Sequence, residues 1–270
     1  MAKKATRRKF LRLVVLSDLH CGHMTGLTPE SWFLPDTGTD NRTAKRAQAQ
    51  RQLWKFYTTA VRSLHPIHRV VVNGDAIDGK GFRSGGSELI RADREEQVDM
   101  AVECIKVTGA HDIAVTAGTP YHTGKGEDWE HVLAEKLKAE FGGQHFLDIG
   151  GVTFDFKHKV GSSSIPHGRM TALARAKLWN KVWAAERQRQ PDVDVLVRSH
   201  VHYHNYCGGI GWLAMTTPAL QGYGSNFGVR QCEGLADRGI VVFDIYKGGV
   251  FKWNVISADL PSQRAELVSF

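Results

Sequence analysis

The stretch that decides the fold is Leu11-Arg-Leu-Val-Val-Leu16, followed at once by Ser17-Asp18-Leu19-His20. Its run of aliphatic and β-branched residues predicts a buried strand, and the strand leads into an aspartate and a histidine. The same arrangement recurs along the chain, with a strand-like run leading to residues that can bind metal. These later runs are 69–73 before Gly74-Asp75, 112–117 before Gly118-Thr-Pro-Tyr-His122, 152–157 before His158, and 193–198 before Ser199-His200-Val201-His202.

Ligand sites in open α/β sheets gather just outside the carboxyl ends of strands, where loops from several strands converge. We therefore expect these aspartates and histidines to meet in one crevice. Carboxylate oxygens and imidazole nitrogens suit divalent transition metals. One such pair arises easily by chance, whereas a succession of pairs, each behind its own strand, indicates an α/β protein with a metal centre.

The composition is that of an ordinary globular protein, with 270 residues, 42% hydrophobic content and 23% charged content. No apolar run approaches the ~18 residues that a membrane helix needs. The apolar segment behind the basic N-terminus is too short and too polar for a secretory signal, so a cytoplasmic protein without membrane contact is expected. The cysteines show no CxxC pairing and predict free thiols; they are Cys21, Cys104, Cys207 and Cys232.

The net charge of +7 is concentrated in two segments. Residues 1–12 contain lysines and arginines without any acid, and the predicted helix over 168–190 is also strongly basic. Localised positive charge favours a polyanionic partner, so both segments are candidates for contact with nucleic acid. A solvated tail and a solvated helix face are the simpler alternative. We predict a basic tail over 1–12 and a single domain over 13–270.

Helices and strands alternate along most of the chain. The apolar spacing predicts helices over 40–64, 87–107, 128–141 and 168–190, and Ser87 is expected to cap the second. Strands are predicted over 212–217, 240–246 and 250–256, with a turn at Lys247-Gly248-Gly249 between the last two. The glycine-rich segment 221–236 is predicted to be a loop near the site. The last helix is expected to bury Leu173, Leu178, Trp179, Val182 and Trp183.

At the residues behind these strands the chain resembles the calcineurin-like metallophosphoesterase superfamily. The family pattern is D-x-H, GD-x-x-D, GNH-D/E, an isolated His and GH-x-H. It is matched here, across residues 13 to about 205, by Asp18 and His20, Gly74-Asp75 with Asp78, Gly118, His158, and His200 with His202. The amino-acid sequences of these segments resemble those of phage- or prophage-borne members more than those of housekeeping phosphatases. This resemblance implies a location in the cytoplasm of a host cell. The resemblance implies two mixed β-sheets packed as a sandwich flanked by helices, a four-layer α-β-β-α fold.

The resemblance also implies a dinuclear metal centre. Asp18, His20, Asp75 and His202 would hold the first ion, and Asp75 would bridge to a second ion held by His158 and His200. Mn²⁺ is expected, and Fe, Zn, Ni or Co would tolerate the same ligands. Such a pair supplies a bridging hydroxide that attacks the phosphate ester, without a covalent enzyme intermediate. The alternative is that these histidines are ordinary hydrogen-bonded residues of the core or the surface. The occurrence of all the motif positions in the family order argues against it.

One loop departs from the family pattern. Thr119 and Pro120 stand where the family has an asparagine that binds the second metal and a histidine that protonates the leaving group. His122 follows two residues later, and it is predicted to complete the second metal site or to act as the acid; a surface loop histidine is the alternative. In the family, the residue at the position of Asp78 orients the acid histidine. Asp78 can have this role here only if His122 is the acid.

Several other residues near the motifs could be mistaken for metal ligands or phosphate-binding residues. The loop 79–86 lacks the spacing of a phosphate-binding loop, and Lys80 and Arg83 are predicted only as phosphate contacts from a substrate-facing loop. His23 and His204 are expected to support the ligands or lie at the surface rather than bind metal. Cys21 is expected to be a small residue in a turn. Four tryptophans are predicted to pack in the interior: Trp54, Trp179, Trp183 and Trp212.

These patterns together predict a metal-dependent phosphoesterase, a hydrolase that uses two divalent ions. The basic segments favour a phosphodiester of a nucleotide or nucleic acid, as in a nuclease. A phosphomonoesterase acting on a phosphoprotein or a nucleotide is the alternative within the enzyme class. A nucleic-acid-binding protein with a degenerate site is the alternative outside it, supported only by the altered 118–122 loop.

Overall fold

The computed structural model describes residues 10–34, 41–82, 84–124, 128–187, 189–222 and 236–259. The first sheet consists of β1 (Phe10–Leu16), β2 (Arg69–Asn73), β3 (Asp112–Thr116), β4 (Glu140–Gly142), β10 (Gly239–Tyr246) and β11 (Val250–Ser257). Its strand order is β11-β10-β1-β2-β3-β4. Strands β1 to β4 run parallel, and β10 and β11 add antiparallel neighbours.

The second sheet has the order β5-β6-β7-β9-β8. Its strands are β5 (His145–Ile149), β6 (Val152–Phe156), β7 (Val195–Arg198), β8 (Asn205–Gly209) and β9 (Trp212–Thr216). The central three are parallel and the two outer strands antiparallel, so this sheet is mixed as well. The helices are α1 (Asn41–Ser63), α2 (Arg94–Lys106), the short α3 (Pro120–Thr123), α4 (Trp129–Leu137) and α5 (Arg169–Arg187).

The alternation of side chains along β1 divides the core into layers. Val14 and Leu16 pack in the cluster that α1, α2 and α4 share with the first sheet, whereas Leu13 and Val15 face the second sheet. A third cluster joins α5 to the outer face of the second sheet through Leu173. The architecture is the predicted four-layer α-β-β-α sandwich. Because both faces of β1 are covered, its sequence is a continuous apolar run rather than an alternating one.

Two predicted helix boundaries are wrong. Asp93, rather than Ser87, caps α2 by accepting hydrogen bonds from the backbone N–H groups of Glu95 and Glu96. Residues 87–93 instead lie against the 20–24 loop, where the Ile90 N–H donates to the Gly22 carbonyl. The helix predicted over 128–141 ends at Leu137, and the next three-residue strand, β4, pairs with β3. Short apolar segments do not distinguish a helix end from a strand, which explains the second error.

The orientation predicted for α5 is largely wrong. Leu173 is buried, but Leu178, Trp179 and Trp183 are 61%, 55% and 37% exposed. The inward face carries Lys177 instead, whose buried amine donates to Asp192 and Asn180. A buried lysine with satisfied hydrogen bonds is not visible in an apolar pattern, so the sequence favoured the wrong face.

Several smaller predictions are settled by the described residues. The turn at Lys247-Gly248-Gly249 connects β10 to β11 as predicted, whereas β8 was not predicted. Residues 10–12, assigned to the tail, belong to β1, and Arg12 pairs with Asp244 at 2.7 Å. The cysteines within the described part of the chain are free thiols, while Cys232, residues 1–9 and most of the 221–236 loop lie outside it. No described helix is long and apolar enough to cross a membrane.

Candidate metal centre

The loops that follow β1, β2, β3, β6 and β7 converge at the carboxyl ends of these strands. They bring together all of the predicted metal ligands, together with His122 and Asp78. A cavity of about 410 Å³ opens at this edge and is lined by His20, Asp75 and Asp78 among others. Asp18 and His158 lie beneath it and are fully or almost fully buried.

A first group of ligand atoms comes from Asp18, His20 and His202. The Asp18 Oδ1 atom lies 3.1 Å from His202 Nε2 and 4.0 Å from His20 Nε2. The two imidazole Nε2 atoms are 3.2 Å apart. Although Asp18 Oδ1 is buried, it has no well-formed hydrogen bond within the described residues. A buried carboxylate oxygen that faces two imidazole nitrogens fits a divalent ion.

A second group comes from Asp75, His158 and His200. The Asp75 Oδ2 atom lies 2.9 Å from His158 Nε2 and 3.9 Å from His200 Nδ1. A carboxylate oxygen of Asp75 also lies within 4.8 Å of ligand nitrogens of His20 and His122. Asp75 therefore stands between the two groups, as a bridging ligand would.

The backbone at these ligands is strained. Five of them adopt positive φ angles, which residues with a side chain rarely do. Lys138 is the one other non-glycine residue with a positive φ among those described. Such conformations cost about 1–3 kcal/mol each and cluster at functional sites. The five are Asp18 (50°), His20 (46°), Asp75 (51°), His200 (75°) and His202 (55°).

Hydrogen bonds behind the ligands fix their ring orientation. The His158 Nδ1 atom lies 2.7 Å from the Asn73 carbonyl oxygen, and His20 Nδ1 lies 3.1 Å from Asp78 Oδ1. Each ring therefore directs Nε2 towards the site. This is the usual arrangement of a metal-binding histidine, whose second nitrogen donates to a carbonyl or a carboxylate.

The electrostatics also fit a metal-binding donor set. Burial and the charge of His122 lower the pKa of His20 to about 4, so its ring is neutral and can bind a cation. Burial would raise the pKa of Asp18, but the facing imidazole of His202 lowers it to about 2. Burial likewise disfavours protonated His158, yet the Asp75 carboxylate raises its pKa to about 10. The raised pKa values of His158 and His202 show how strongly the buried carboxylates attract positive charge.

The 118–122 loop, whose sequence differs from the family pattern, places Thr119 and His122 beside Asp75. The Thr119 backbone N–H donates to Asp75 Oδ1 at 2.7 Å, and its hydroxyl donates at 3.1 Å. The His122 Nδ1 atom lies 2.8 Å from the Asp78 carbonyl oxygen, and its Nε2 lies 3.9 Å from Asp75 Oδ2. His122 groups with His20 and Asp75, whereas the described group that contains His158 and His200 does not include it.

Glu130 is a site residue that the sequence did not reveal. It is fully buried in α4, and its carboxylate accepts hydrogen bonds from the backbone N–H groups of Ala76 and Gly118. It thus joins the Asp75 loop to the Thr119 loop. Burial and the nearby charge of Asp75 raise its pKa to about 8. No motif in the sequence points to Glu130, because it lies within α4 and not directly behind a strand.

The cavity wall differs in part from the expectation. Lys80 is exposed but is not among the residues that line the cavity, whereas Lys159, next to His158, is one of them. Arg83 lies outside the described residues. His204 is directed away from the site, where its Nδ1–H donates to the Thr216 carbonyl oxygen at 2.8 Å. Cys21 is buried in the turn behind His20, 3.9 Å from the Cys104 sulfur.

Comparison with known proteins gives similarities of fold. No family model matches the sequence, and the search of curated proteins gives no match either. Among solved structures, Vps29 from Entamoeba histolytica in complex with Zn²⁺ is 16% identical, with a TM-score of 0.44 over 92% of this chain and 100% of that one. An archaeal phosphodiesterase is 12% identical, with a TM-score of 0.46 over 91% and 100%. A predicted phosphoesterase from Streptococcus pneumoniae is 12% identical, with a TM-score of 0.38 over 92% and 99%.

Proposed function

We propose that this protein is a metal-dependent phosphoesterase that uses two divalent ions. The observation that carries the proposal is the position of the Asp75 carboxylate between two groups of ligand atoms. In this proposal Asp18, His20, Asp75 and His202 hold one ion, and Asp75, His158 and His200 hold the other. Mn²⁺ suits these ligands, as do Fe, Zn, Ni and Co. Divalent ions so paired act as Lewis acids towards a phosphoryl group and a water molecule.

We assign His122 the role of the acid that protonates the leaving group. Its Nδ1–H donates to the Asp78 carbonyl, which leaves Nε2 directed at the cavity. A proton on Nε2 can therefore be transferred to the oxygen that departs from phosphorus. Asp78 is a positioning residue in this proposal, since its carbonyl orients His122 and its carboxylate orients His20. Lys159 contributes positive charge for the phosphate at the cavity wall.

The proposed substrate class is a phosphodiester of a nucleotide or nucleic acid. Its support is the concentration of positive charge over residues 1–9. The helix supports it less, because Asp192 pairs with both Lys177 and Lys181. A phosphomonoesterase is the second candidate, and a binding protein that has lost catalysis is the third. The third candidate rests on the loop in which Thr119 and Pro120 replace the family residues. The cytoplasmic location and the phage-like origin remain predictions.

The proposal is tested by a panel of phosphate monoesters and diesters, each assayed with Mn²⁺, Fe²⁺, Zn²⁺, Ni²⁺ or Co²⁺ and with bound metal measured in parallel. We expect two ions per chain and turnover of bis(4-nitrophenyl) phosphate in excess of 4-nitrophenyl phosphate. Preference for the monoester would replace the diesterase with a phosphomonoesterase. Two bound ions without turnover of any ester would leave the binding protein as the conclusion.

A further inference from the structure

A second polar feature lies in the cavity wall, beside the metal ligands. His23 and Glu88 line the cavity together with His20 and Asp78. Both are deeply buried, with exposed fractions of 3% and 4%. Neither takes part in the proposed binding of metal, so their burial in the cavity wall needs another explanation.

The hydrogen bonds of His23 fix the position of its ring proton. The Thr25 backbone N–H donates to His23 Nδ1 at 3.1 Å, and the Thr25 hydroxyl oxygen lies 2.9 Å from the same nitrogen. A backbone N–H is always a donor, so Nδ1 is an acceptor and the ring proton lies on Nε2. This Nε2–H has no hydrogen-bond partner among the described residues. A buried donor without a partner is costly, which points to a partner that binds there.

Glu88 presents an acceptor next to this donor. Its Oε2 atom lies 3.9 Å from His23 Nε2, which is too far for a direct hydrogen bond. The backbone holds this spacing, because the Met24 N–H donates to the Glu88 carbonyl at 2.8 Å and His23 forms a β-bridge with Leu89. Since a carboxylate oxygen accepts more than one hydrogen bond, Glu88 can receive a further donor whatever else it contacts.

A single hydroxyl group satisfies both residues at once. Its oxygen accepts from His23 Nε2–H while its proton is donated to Glu88 Oε2. An alkyl group offers no hydrogen bond to either residue, an ammonium group lacks the acceptor for His23, and a phosphate or carbonyl oxygen cannot also donate to the Glu88 carboxylate. A site that hydrogen-bonds a hydroxyl discriminates against an analogue without one, because the buried His23 Nε2–H then loses its partner.

We propose that His23 and Glu88 form a hydroxyl-binding subsite that selects phosphate esters of polyhydroxy alcohols. The proposal rests on the proposed function, since the subsite shares a cavity with the metal ligands. Two sources of this chemistry are the ribose of a ribonucleotide and a polyol such as glycerol. For nucleic acid substrates, the subsite would favour RNA-like over DNA-like esters through the ribose hydroxyl.

The test is isothermal titration calorimetry on the full chain with Mn²⁺ bound, using two matched ligand pairs. Uridine 5′-monophosphate is compared with its 2′,3′-dideoxy analogue, and glycerol 3-phosphate with propyl phosphate. We expect the hydroxylated member of at least one pair to bind about 10- to 100-fold more tightly, the value of one buried hydrogen bond to a charged group. The pair that shows the difference identifies the source of the hydroxyl.

Two variants test whether the preference for the hydroxylated ligand depends on His23 and Glu88. Glu88→Leu removes the acceptor and should abolish the preference, whereas Glu135→Leu makes the same change at an exposed position of α4 and should retain it. Equal affinities within both ligand pairs of the wild-type protein, or a preference that survives in folded Glu88→Leu, would overturn the inference alone. If neither the esters nor inorganic phosphate bind while Mn²⁺ does, the proposed function fails and the subsite fails with it.

Discussion

Asp75 Oδ2 lies 2.9 Å from His158 Nε2, within a site where the same aspartate also approaches the ligands of the first group. Asp75→Asn removes the shared negative charge, so we expect loss of both ions and of nearly all phosphoesterase activity. The loss should exceed the roughly 10–100-fold that removal of an outer hydrogen-bond partner costs. Metal content by mass spectrometry and hydrolysis of bis(4-nitrophenyl) phosphate measure the two effects.

The matched control is Asp148→Asn, an exposed aspartate in the 145–149 strand of the second sheet, which should retain both ions. His158→Ala and His200→Ala should lose the second ion and keep the first. Normal metal occupancy and rate in Asp75→Asn would contradict the dinuclear assignment.

The same ion pair predicts how stability depends on pH in protein treated with a chelator. The folded-state pKa of His158 is raised to about 10, against ~6.5 in an unfolded chain. A group whose pKa is raised by folding stabilises the protein fully below its unfolded pKa, and this contribution is lost as the pH rises through the folded value. The melting temperature should therefore fall between about pH 6.5 and pH 10.

Asp75→Asn should flatten this dependence, because the carboxylate is what raises the pKa of His158. The metal-loaded wild-type protein should behave differently as well, since a bound cation requires neutral His158 and its affinity rises with pH. A melting temperature that is constant across this range in the chelated wild-type protein would show that the pair is not formed.

The two possible roles of His122, as an acid or as a metal ligand, predict different rates for esters with good and poor leaving groups. A general acid contributes ~10²–10⁴-fold and matters most when the leaving group is poor. We expect His122→Ala to spare nitrophenyl esters, to slow esters of alkyl alcohols by this factor, and to bind two ions as before. Loss of one ion, with both kinds of substrate slowed alike, would instead make His122 a metal ligand.

Most of the fold was readable from the sequence, because its parallel strands are buried on both faces and appear as continuous apolar runs. The aspartates and histidines of the candidate metal centre could be expected to meet because they follow these strands directly. Glu130 could not, since it reaches the site from α4, far from any strand end. The faces of α5 were misjudged because Lys177 is buried and satisfied by Asp192, whereas Trp179 is exposed.

Thr119 offers a further test of the altered loop. Its hydroxyl donates to Asp75 Oδ1, so it orients the central carboxylate rather than standing in as a ligand. Thr119→Val keeps the shape and removes the hydroxyl, and we expect metal affinity to fall by roughly 10–100-fold, as for other outer partners of metal ligands. Thr119→Ser should retain the affinity. Equal affinity in all three proteins would show that the backbone N–H alone suffices to position Asp75.

Salt dependence tests whether the basic tail binds a polyanion. If residues 1–9 contact phosphates of DNA or RNA, log affinity should fall with log salt concentration by about 0.7–0.9 per contact through counterion release. Deletion of residues 1–9 should flatten this slope and leave hydrolysis of bis(4-nitrophenyl) phosphate unchanged, because the tail supplies affinity rather than chemistry.

Lys181→Gln provides the comparison on α5. Since Lys181 pairs with Asp192, its replacement should change the slope by less than one contact. A slope that depends on α5 and not on the tail would transfer the nucleic acid interface to the helix. If the protein binds neither DNA nor RNA at low salt but hydrolyses monoesters, a nucleic acid substrate is rejected. The proposed metal centre would be unaffected by this result, because its residues and the basic residues lie on separate segments of the chain.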